Sequence, residues 1–211
     1  MAAGDPTAWV GRFRSVDKRF LERVVAVWPR CLSVLPQQPD EDTITENLVN
    51  LLLSDPETRR GFHWIEYQYE PFDYTPEGTA RSKGSVDMAI ILDQDRDTYL
   101  AYECKRLNEL RDDGRRSLAG RYVTDGLSRF VEGQYSDNLP VGCMLGYVLD
   151  GDVQYAAARV RAAIVERGQE VALDMMPRDD IAIGVATRFY SHHRRGSKGA
   201  VIEVRHALLP M

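Results

Sequence analysis

The sequence has little cysteine and no long apolar run. Its three cysteines, Cys31, Cys104 and Cys143, are isolated and odd in number, so they give neither a disulfide framework nor a zinc-ligand spacing. No stretch approaches the length of a membrane-spanning helix, and the first residues lack the basic-then-apolar pattern of a secretory signal. We therefore expect a protein of the reducing cytoplasm that does not enter a membrane.

Motifs of several enzyme classes are also missing. The chain has no Walker loop, no dinucleotide fingerprint and no Ser/His/Asp elbow. It has no internal repeat and no low-complexity segment, so its 211 residues predict one domain with a sizeable core. The net charge of −5 argues against wholesale non-specific binding to nucleic acid, although a local basic surface is compatible with it.

The apolar pattern predicts alternating helices and strands. Amphipathic helices are predicted at about 7–28, ending before Pro29, and from Thr43, where Thr43-Ile-Thr-Glu46 fits a capping box. Aromatic and polar residues alternate between Phe62 and Tyr74, as in a strand. The further elements are a hairpin (85–92 and 98–105), a charged loop (106–116), a helix (118–135), a strand (142–149), a helix (153–167) and two strands (181–192 and 200–209). This order predicts a single mixed α/β domain over residues 1–211.

The predicted hairpin carries charges where a buried strand should have none. Asp87 interrupts its first apolar run, and Glu103 and Lys105 interrupt the end of the second. Because strand side chains alternate between faces, Glu103 and Lys105 point the same way and Cys104 points the opposite way. Antiparallel pairing about the turn at 94–97 sets Asp87 across from Glu103 and Cys104. Buried charges are costly unless they pair or bind a metal, so the pattern predicts one of these two arrangements.

These residue types suit the hydrolysis of a phosphodiester. A divalent metal lowers the pKa of the attacking water and offsets the charge that develops on the phosphate. Magnesium prefers hard oxygen ligands, which Asp87, Glu103 and the backbone carbonyl of Cys104 supply. Lys105 is placed to orient the water and to offset charge in the transition state.

The spacing of Asp87 and Glu103-Cys104-Lys105 resembles the Asp…Glu-x-Lys core of the PD-(D/E)XK nuclease superfamily, although Val86 stands where the motif name has proline. The resemblance implies a restriction-endonuclease-like αβββαβ core with a central mixed sheet over about 43–149. An N-terminal helix in 1–42 and a C-terminal β-hairpin in 150–211 would be additions. It also implies cleavage of DNA, less often RNA, with Mg²⁺ or Mn²⁺ as cofactor. An acidic residue of the preceding helix should lie near the metals, and Glu46 occupies that place.

A looser resemblance connects the second half of the chain to small prokaryotic members of that superfamily associated with phage defence. It is carried by Tyr122, Gly126, Arg129-Phe130, Tyr135, the strand Met144-Leu145-Gly146-Tyr147-Val148, and the ending Tyr190-Ser191-His192-His193-Arg194 with His206. It implies an anti-phage defence system with a partner protein. A homodimer is a further expectation, since cutting both strands of a duplex usually calls for two active sites.

Candidate nucleic-acid contacts flank the motif: Lys83, Arg106, Arg129 and Gln134. Each also has an interpretation as a residue of a solvated helix or loop, and Glu46 has one as the capping-box partner of Thr43. His192 and His193 suit a hairpin surface or a partner contact better than a metal site, because adjacent strand residues face opposite ways. His206 has no role assigned by the sequence.

Three functions are compatible with these observations. The first is a magnesium-dependent endonuclease acting on DNA. The second is a catalytically inactive nuclease-like subunit that binds nucleic acid or a partner protein. The third is a structural α/β domain in which Lys105 only neutralises the two carboxylates.

Overall fold

Helices and strands alternate along the chain in a computed structural model that describes residues 6–74, 77–196 and 200–211. The helical elements are α1 (Pro6–Val34), α2 (Glu41–Ser54), α3 (Pro56–Gly61), α4 (Ala119–Arg121), a π-helical turn (Tyr122–Leu127), α5 (Ser128–Val131) and α6 (Val153–Glu166). The strands are β1 (Trp64–Tyr69), β2 (Phe72–Tyr74), β3 (Ala80–Ser82), β4 (Val86–Ile91), β5 (Tyr99–Leu107), β6 (Glu109–Arg111), β7 (Gly114–Arg116), β8 (Val141–Val148), β9 (Leu173–Asp179), β10 (Thr187–Arg195) and β11 (Ala200–Pro210). Within these ranges, no helix is both long enough and apolar enough to span a bilayer.

Seven of the strands form a mixed sheet in the order β1-β4-β5-β8-β11-β10-β9. β4 pairs antiparallel with β1 and β5, and β8 lies parallel between β5 and β11. β10 pairs antiparallel with both β11 and β9. The remaining strands form two separate hairpins, β2-β3 and β6-β7. The architecture confirms the predicted α/β class with a central mixed sheet.

Both faces of the sheet are covered by helices. α1 and α2 cover one face, where Phe20, Trp28 and Leu48 belong to the same core cluster as Tyr102 of β5. The π-helical turn, α5 and α6 cover the other face, around Tyr122, Phe130 and Ile164. β8 is buried along its whole length, as its almost continuous apolar sequence predicts for a strand covered on both sides.

The helix boundaries differ from the predictions at three places. α1 continues through Pro29 to Val34, so this proline lies inside the helix and does not end it. α2 begins at Glu41 because the Asp40 carboxylate accepts a hydrogen bond of 2.8 Å from the backbone N–H of Thr43. The predicted start at Thr43 and its capping box are therefore wrong. The helix predicted over 118–135 ends at Val131 and contains the π-helical turn.

The strands depart from the predictions mainly near the chain end. The predicted C-terminal hairpin exists as β10 and β11, but β11 pairs with β8, so the hairpin extends the central sheet. β9 was not predicted, and it contains Pro177, which an edge strand tolerates. The segment predicted as a charged loop over 106–116 holds the β6-β7 hairpin, and the strand predicted over 62–74 is divided into β1 and β2.

A buried ion network attaches α1 to the end of the chain. Asp17 of α1 is 1% exposed and accepts hydrogen bonds from Arg188 Nη2 (2.5 Å) and Arg205 Nε (2.8 Å). The Tyr102 hydroxyl donates to the same carboxylate at 2.7 Å. The Arg205 guanidinium also pairs with Glu203 of its own strand at 2.6 Å. Two guanidinium groups therefore compensate the buried Asp17 carboxylate and join the first helix to the last two strands.

A chain of buried hydrogen bonds joins the C-terminal strands to the π-helical turn. Tyr122 Oη lies 3.0 Å from His206 Nδ1, and Ser191 Oγ lies 2.9 Å from His206 Nε2 and 2.8 Å from His193 Nε2. At its end, His193 Nδ1 lies 2.7 Å from the carbonyl oxygen of Val171. Because a carbonyl only accepts, His193 Nδ1 donates to it. Burial lowers the pKa of both imidazoles, so both are neutral at neutral pH. Ser191 then donates to His193, His206 donates to Ser191 and Tyr122 donates to His206, which gives His193 and His206 a structural role.

Acid should break this chain of hydrogen bonds. Burial lowers the pKa of His193 to about 4, with a smaller contribution from His192. Burial and then the neighbouring His193, Arg161 and Arg205 lower the pKa of His206 well below its usual range. Since the pKa of His193 is lower in the folded than in the unfolded chain, its contribution to stability is present above about pH 6.5 and is lost as the pH falls toward 4.

We therefore expect the wild type to lose about 2 kcal/mol of unfolding free energy relative to His193→Gln between about pH 7 and about pH 5. Urea unfolding at both pH values measures this difference. The exposed His63 offers a control, and His63→Gln should keep the wild-type dependence on pH. If wild type and His193→Gln differ by the same free energy at both pH values, the lowered pKa assigned to the buried His193 is wrong.

Candidate active site

The β4-β5 hairpin brings Asp87, Glu103 and Lys105 together at one end of the sheet. Met88 pairs with Tyr102, so the register sets Asp87 opposite Glu103, as the sequence predicts. Asp87 Oδ2 accepts a hydrogen bond of 2.6 Å from the backbone N–H of Cys104. Lys105 Nζ lies 2.9 Å from Glu103 Oε1 and 3.9 Å from Asp87 Oδ2. We refer to these three residues as the carboxylate–lysine cluster.

Glu103 is the most enclosed member of the cluster, with a side chain that is 0% exposed. Its Oε1 contacts both Lys105 Nζ and Arg129 Nη1, each at 2.9 Å. Its Oε2 is buried and has no hydrogen-bond partner in the described parts of the chain. Burial and the negative charge of Asp87 raise the pKa of Glu103 to about 7, against the opposing effect of the two cations. A buried oxygen of this kind calls for an explanation, and a ligand that engages it would provide one.

The other two members are charged in opposite senses. Burial raises the pKa of Asp87, and the Lys105 ammonium and the Cys104 N–H oppose that rise. Burial alone would lower the pKa of Lys105, but the carboxylates of Glu103, Asp87 and Glu41 outweigh it and raise this pKa. Lys105 therefore keeps its proton at neutral pH and can act as a fixed positive charge.

A further acidic residue, not among those predicted for the site, contacts the cluster from α2. Glu41, the first residue of α2, contacts Lys105 Nζ through Oε1 (2.8 Å) and accepts from the Arg106 N–H through Oε2 (2.9 Å). Glu46, predicted near the metals, is exposed and lies about 140° around the helix from Glu41. Its charge does reach the Tyr67 hydroxyl, whose pKa is raised by burial and then by Asp42, Glu46 and Asp87. The α2 carboxylate in contact with Lys105 is thus Glu41.

The π-helical turn packs onto the cluster through Gly126. A Cβ at this position would lie 2.5 Å from Met144 Cε, 3.4 Å from Lys105 Cγ and 3.5 Å from Glu103 Cγ. A side chain here would have to displace the end of Met144, so glycine eases the close approach of the turn to the strands, and π-helical turns occur frequently at functional sites. The turn leads into α5, which carries Arg129 to Glu103.

Arg129 is itself held by an aromatic residue. Its Nη1 donates to the Tyr135 hydroxyl at 2.8 Å, and that hydroxyl donates to the carbonyl oxygen of Ser85, just before β4. Burial tends to lower the pKa of Arg129, but Glu103 and Tyr135 outweigh burial and raise it. Arg129 is therefore a charged group fixed between the cluster and the entry to β4.

The four predicted nucleic-acid contacts lie at the cluster end of the hairpin. Arg129 contacts Glu103, and Arg106 follows Lys105 and donates through Nη1 to the Pro39 carbonyl at 3.3 Å. Lys83 Nζ lies 3.6 Å from an oxygen of Asp137. Gln134 packs against Gly84, where a Cβ would lie 2.6 Å from Gln134 Nε2. Lys83 and Gln134 thus flank the start of β4, whereas Arg106 is near the end of β5.

The oxygen atoms of the cluster suit a magnesium ion by their chemistry. Asp87, Glu103 and the Cys104 carbonyl are hard donors, and Glu103 Oε2 is buried without a partner. Among residues 6–74, 77–196 and 200–211, no three His, Cys, Asp or Glu side chains are grouped as a metal site. The Lys105 ammonium lies among these oxygens instead and donates to the Cys104 carbonyl at 2.8 Å. The donors therefore fit the ion in kind, with the Lys105 ammonium beside them as a fixed positive charge.

The protein is thus an α/β domain in which two acidic side chains and a lysine meet at the end of the β4-β5 hairpin. No family model, curated protein or solved structure matches the chain. A function for the cluster must therefore be argued from its own geometry, together with the motif resemblance.

Proposed function

We propose that this protein is a magnesium-dependent endonuclease of the PD-(D/E)XK class that hydrolyses phosphodiester bonds, with DNA as the preferred substrate. The observation that carries the proposal is the convergence of Asp87, Glu103 and Lys105, with Glu103 fully buried and one of its oxygens unpartnered within the described residues. Charges in this position are unfavourable for stability, and perturbed carboxylates cluster at functional sites.

The roles of the residues follow from their charges. Asp87, Glu103 and the Cys104 carbonyl would hold Mg²⁺ or Mn²⁺, with Glu41 and Glu46 as acidic residues of the neighbouring helix. When bound, the ion would lower the pKa of the attacking water and neutralise charge on the phosphate. Lys105 remains protonated and would orient the water and donate a hydrogen bond to the scissile phosphate.

Three cations and one amide around the cluster would contact the phosphates of the nucleic-acid backbone. Arg106 and Arg129 lie beside the carboxylates, and Lys83 and Gln134 flank the start of β4. Arg129 would also stabilise the ionised form of Glu103, whose pKa it lowers. Contacts of this kind position a phosphate chain without reading its sequence. We therefore propose weak sequence preference for the isolated protein.

Three extensions of the proposal rest on the resemblance. The order α2, β1, β4, β5, the helical segment 119–131 and β8 supports a nuclease core over about 43–149, with additions at 1–42 and 150–211. A homodimer would supply a second active site for the other strand of a duplex. A role in anti-phage defence with a partner protein is supported by the looser resemblance of 122–206.

A panel of four substrates tests the proposal. Purified protein is incubated with supercoiled plasmid, linear duplex DNA, single-stranded DNA and RNA, with Mg²⁺, with Mn²⁺ and with EDTA. We expect internal cutting of DNA with either metal, slower cutting of RNA and none in EDTA, because the carboxylates need the ion to engage a phosphate. If none of the substrates is cut with either metal, the proposal is wrong.

A second candidate is a catalytically inactive nuclease-like subunit that binds nucleic acid or a partner protein. The observation in its favour is that Lys105 Nζ contacts Glu41, Glu103 and the Cys104 carbonyl at once, so a cation of the chain itself already lies among the oxygens proposed for the metal. This candidate predicts salt-sensitive binding to the same substrates with no cleavage. Binding measured at several salt concentrations, alongside cleavage, distinguishes the two candidates.

A further inference from the structure

A cavity of about 790 Å³ lies at the end of β4 that is remote from the carboxylate–lysine cluster. α1 forms one wall, the start of β1 forms the other, and residues at the end of β4 and in the following turn close it. Asp93, which lines the cavity, is six residues after Asp87 of the cluster, and six residues of extended chain span about 20 Å. The volume lies within the range of small-molecule sites, about 300–1,000 Å³. This cavity is therefore a separate candidate site.

The α1 wall of the cavity is positively charged. Arg12 and Arg19 are seven residues apart and both line the cavity, so they lie on one face of the helix, about 10 Å apart along its axis. The Arg12 guanidinium lies 4.8 Å from the centre of the Trp9 ring, and that of Arg19 lies 5.9 Å from the Phe62 ring. Among the described residues neither is paired with a carboxylate, so both are available to an anion.

The β1 wall offers an aromatic surface. Trp64, the first residue of β1, is 47% exposed and lines the cavity, so a ring in the cavity can stack on its indole. Asp93 also lines the cavity, but its Oδ1 is covered by protein atoms and is not reached from the cavity.

We propose that this cavity binds a nucleoside phosphate, with the base stacked on Trp64 and the phosphate groups on Arg12 and Arg19. An inorganic anion alone leaves Trp64 unused, and an apolar ligand leaves the two guanidinium groups unused. The site does not depend on the nuclease proposal, because it uses none of the cluster residues.

Titration with individual nucleoside triphosphates, without metal, tests the proposal by calorimetry and by tryptophan fluorescence. We expect at least one of ATP, GTP, CTP and UTP to bind with one site per chain. The double variant Arg12→Ala/Arg19→Ala should weaken binding at least about tenfold, because both side chains are exposed and make the phosphate contacts. Trp64→Leu should weaken binding and reduce the fluorescence change, part of which comes from Trp9 beside Arg12.

Two control variants assign the binding to this cavity. Arg30→Ala removes an exposed guanidinium of the same helix outside the cavity and should leave the affinity unchanged. Glu103→Gln should also leave it unchanged, which separates this site from the cluster. The proposal is overturned if none of the four nucleotides binds at millimolar concentration, if the double variant binds as tightly as wild type, or if pyrophosphate binds as tightly as the nucleotide.

Discussion

Alanine in place of Lys105 should slow metal-dependent cleavage by at least about a hundredfold while the sheet remains folded. The ammonium lies within 3 Å of Glu41 and Glu103 oxygens and is the fixed positive charge nearest to them on β5. Removing one preorganised group that stabilises transition-state charge reduces the rate by about a hundredfold to a thousandfold. The measurement is the initial rate of plasmid cleavage, with circular dichroism as the check that the chain is folded.

Glu103→Gln extends the same test to the acidic side of the cluster. The amide keeps the volume of the buried side chain but removes the charge that would hold Mg²⁺. Its rate should fall at least as far as that of Lys105→Ala. Lys18→Ala is the matched control, because its ammonium is 64% exposed and pairs with Glu22 on the surface of α1. Wild-type cleavage by both Lys105→Ala and Glu103→Gln would remove the cluster from the mechanism.

Asp17→Ala should be strongly destabilising without any direct effect on the cluster. The substitution removes one of the two carboxylates paired with Arg188 and one of the three paired with Arg205, where Asp180 and Glu203 are the others. It also removes the acceptor of the Tyr102 hydroxyl. Breaking a buried ion pair by removing one partner costs about 3–5 kcal/mol. Urea unfolding should show a loss of that size in the free energy of unfolding.

The surface pair Lys18–Glu22 on the same helix supplies the control for Asp17. Glu22→Ala removes one exposed partner and should change the free energy of unfolding by about 0.5 kcal/mol or less. If Asp17→Ala and Glu22→Ala have similar free energies of unfolding, the buried network does not hold α1 against β10 and β11.

The hairpin and its charges were predictable because strand geometry is simple. Side chains alternate with a period of two, and a short turn fixes the register, so Asp87 faces Glu103 in the structure as in the prediction. Asp17 also left a signal in the sequence, since it lies beside Val16 on the apolar face of α1, where a charge requires a partner. The partners themselves, Arg188 and Arg205, are distant in sequence, and no local pattern identifies them.

Glu41 was missed because a helix is sensitive to where it starts. A start placed at Thr43 leaves Glu41 in the preceding connector, so Glu46, about 140° from it around the helix, was the acid assigned to the site. Asp40, and not Thr43, caps α2, and this selects Glu41 from an acidic run that also contains Asp42. The contact between Arg129 and Glu103 was hidden for a related reason, because the π-helical turn shifts every later side chain relative to the 3.6-residue pattern.

The position of the C-terminal strands in the sheet could not be predicted from local sequence patterns, for another reason. β11 reads as the second strand of a hairpin with β10, and its parallel pairing with β8 depends on contacts far apart in the chain. This pairing brings His206 against Tyr122 and so connects the end of the chain to the π-helical turn beside the cluster.

The decisive measurement is a time course of supercoiled plasmid with wild type and Lys105→Ala side by side, in Mg²⁺ and in EDTA. If the protein is a magnesium-dependent endonuclease that uses the carboxylate–lysine cluster, wild type in Mg²⁺ converts the plasmid to open-circular and linear forms. The plasmid stays supercoiled over the same time with wild type in EDTA and with Lys105→Ala in either buffer. Equal conversion by wild type and Lys105→Ala, or an intact plasmid in every lane, would contradict that function.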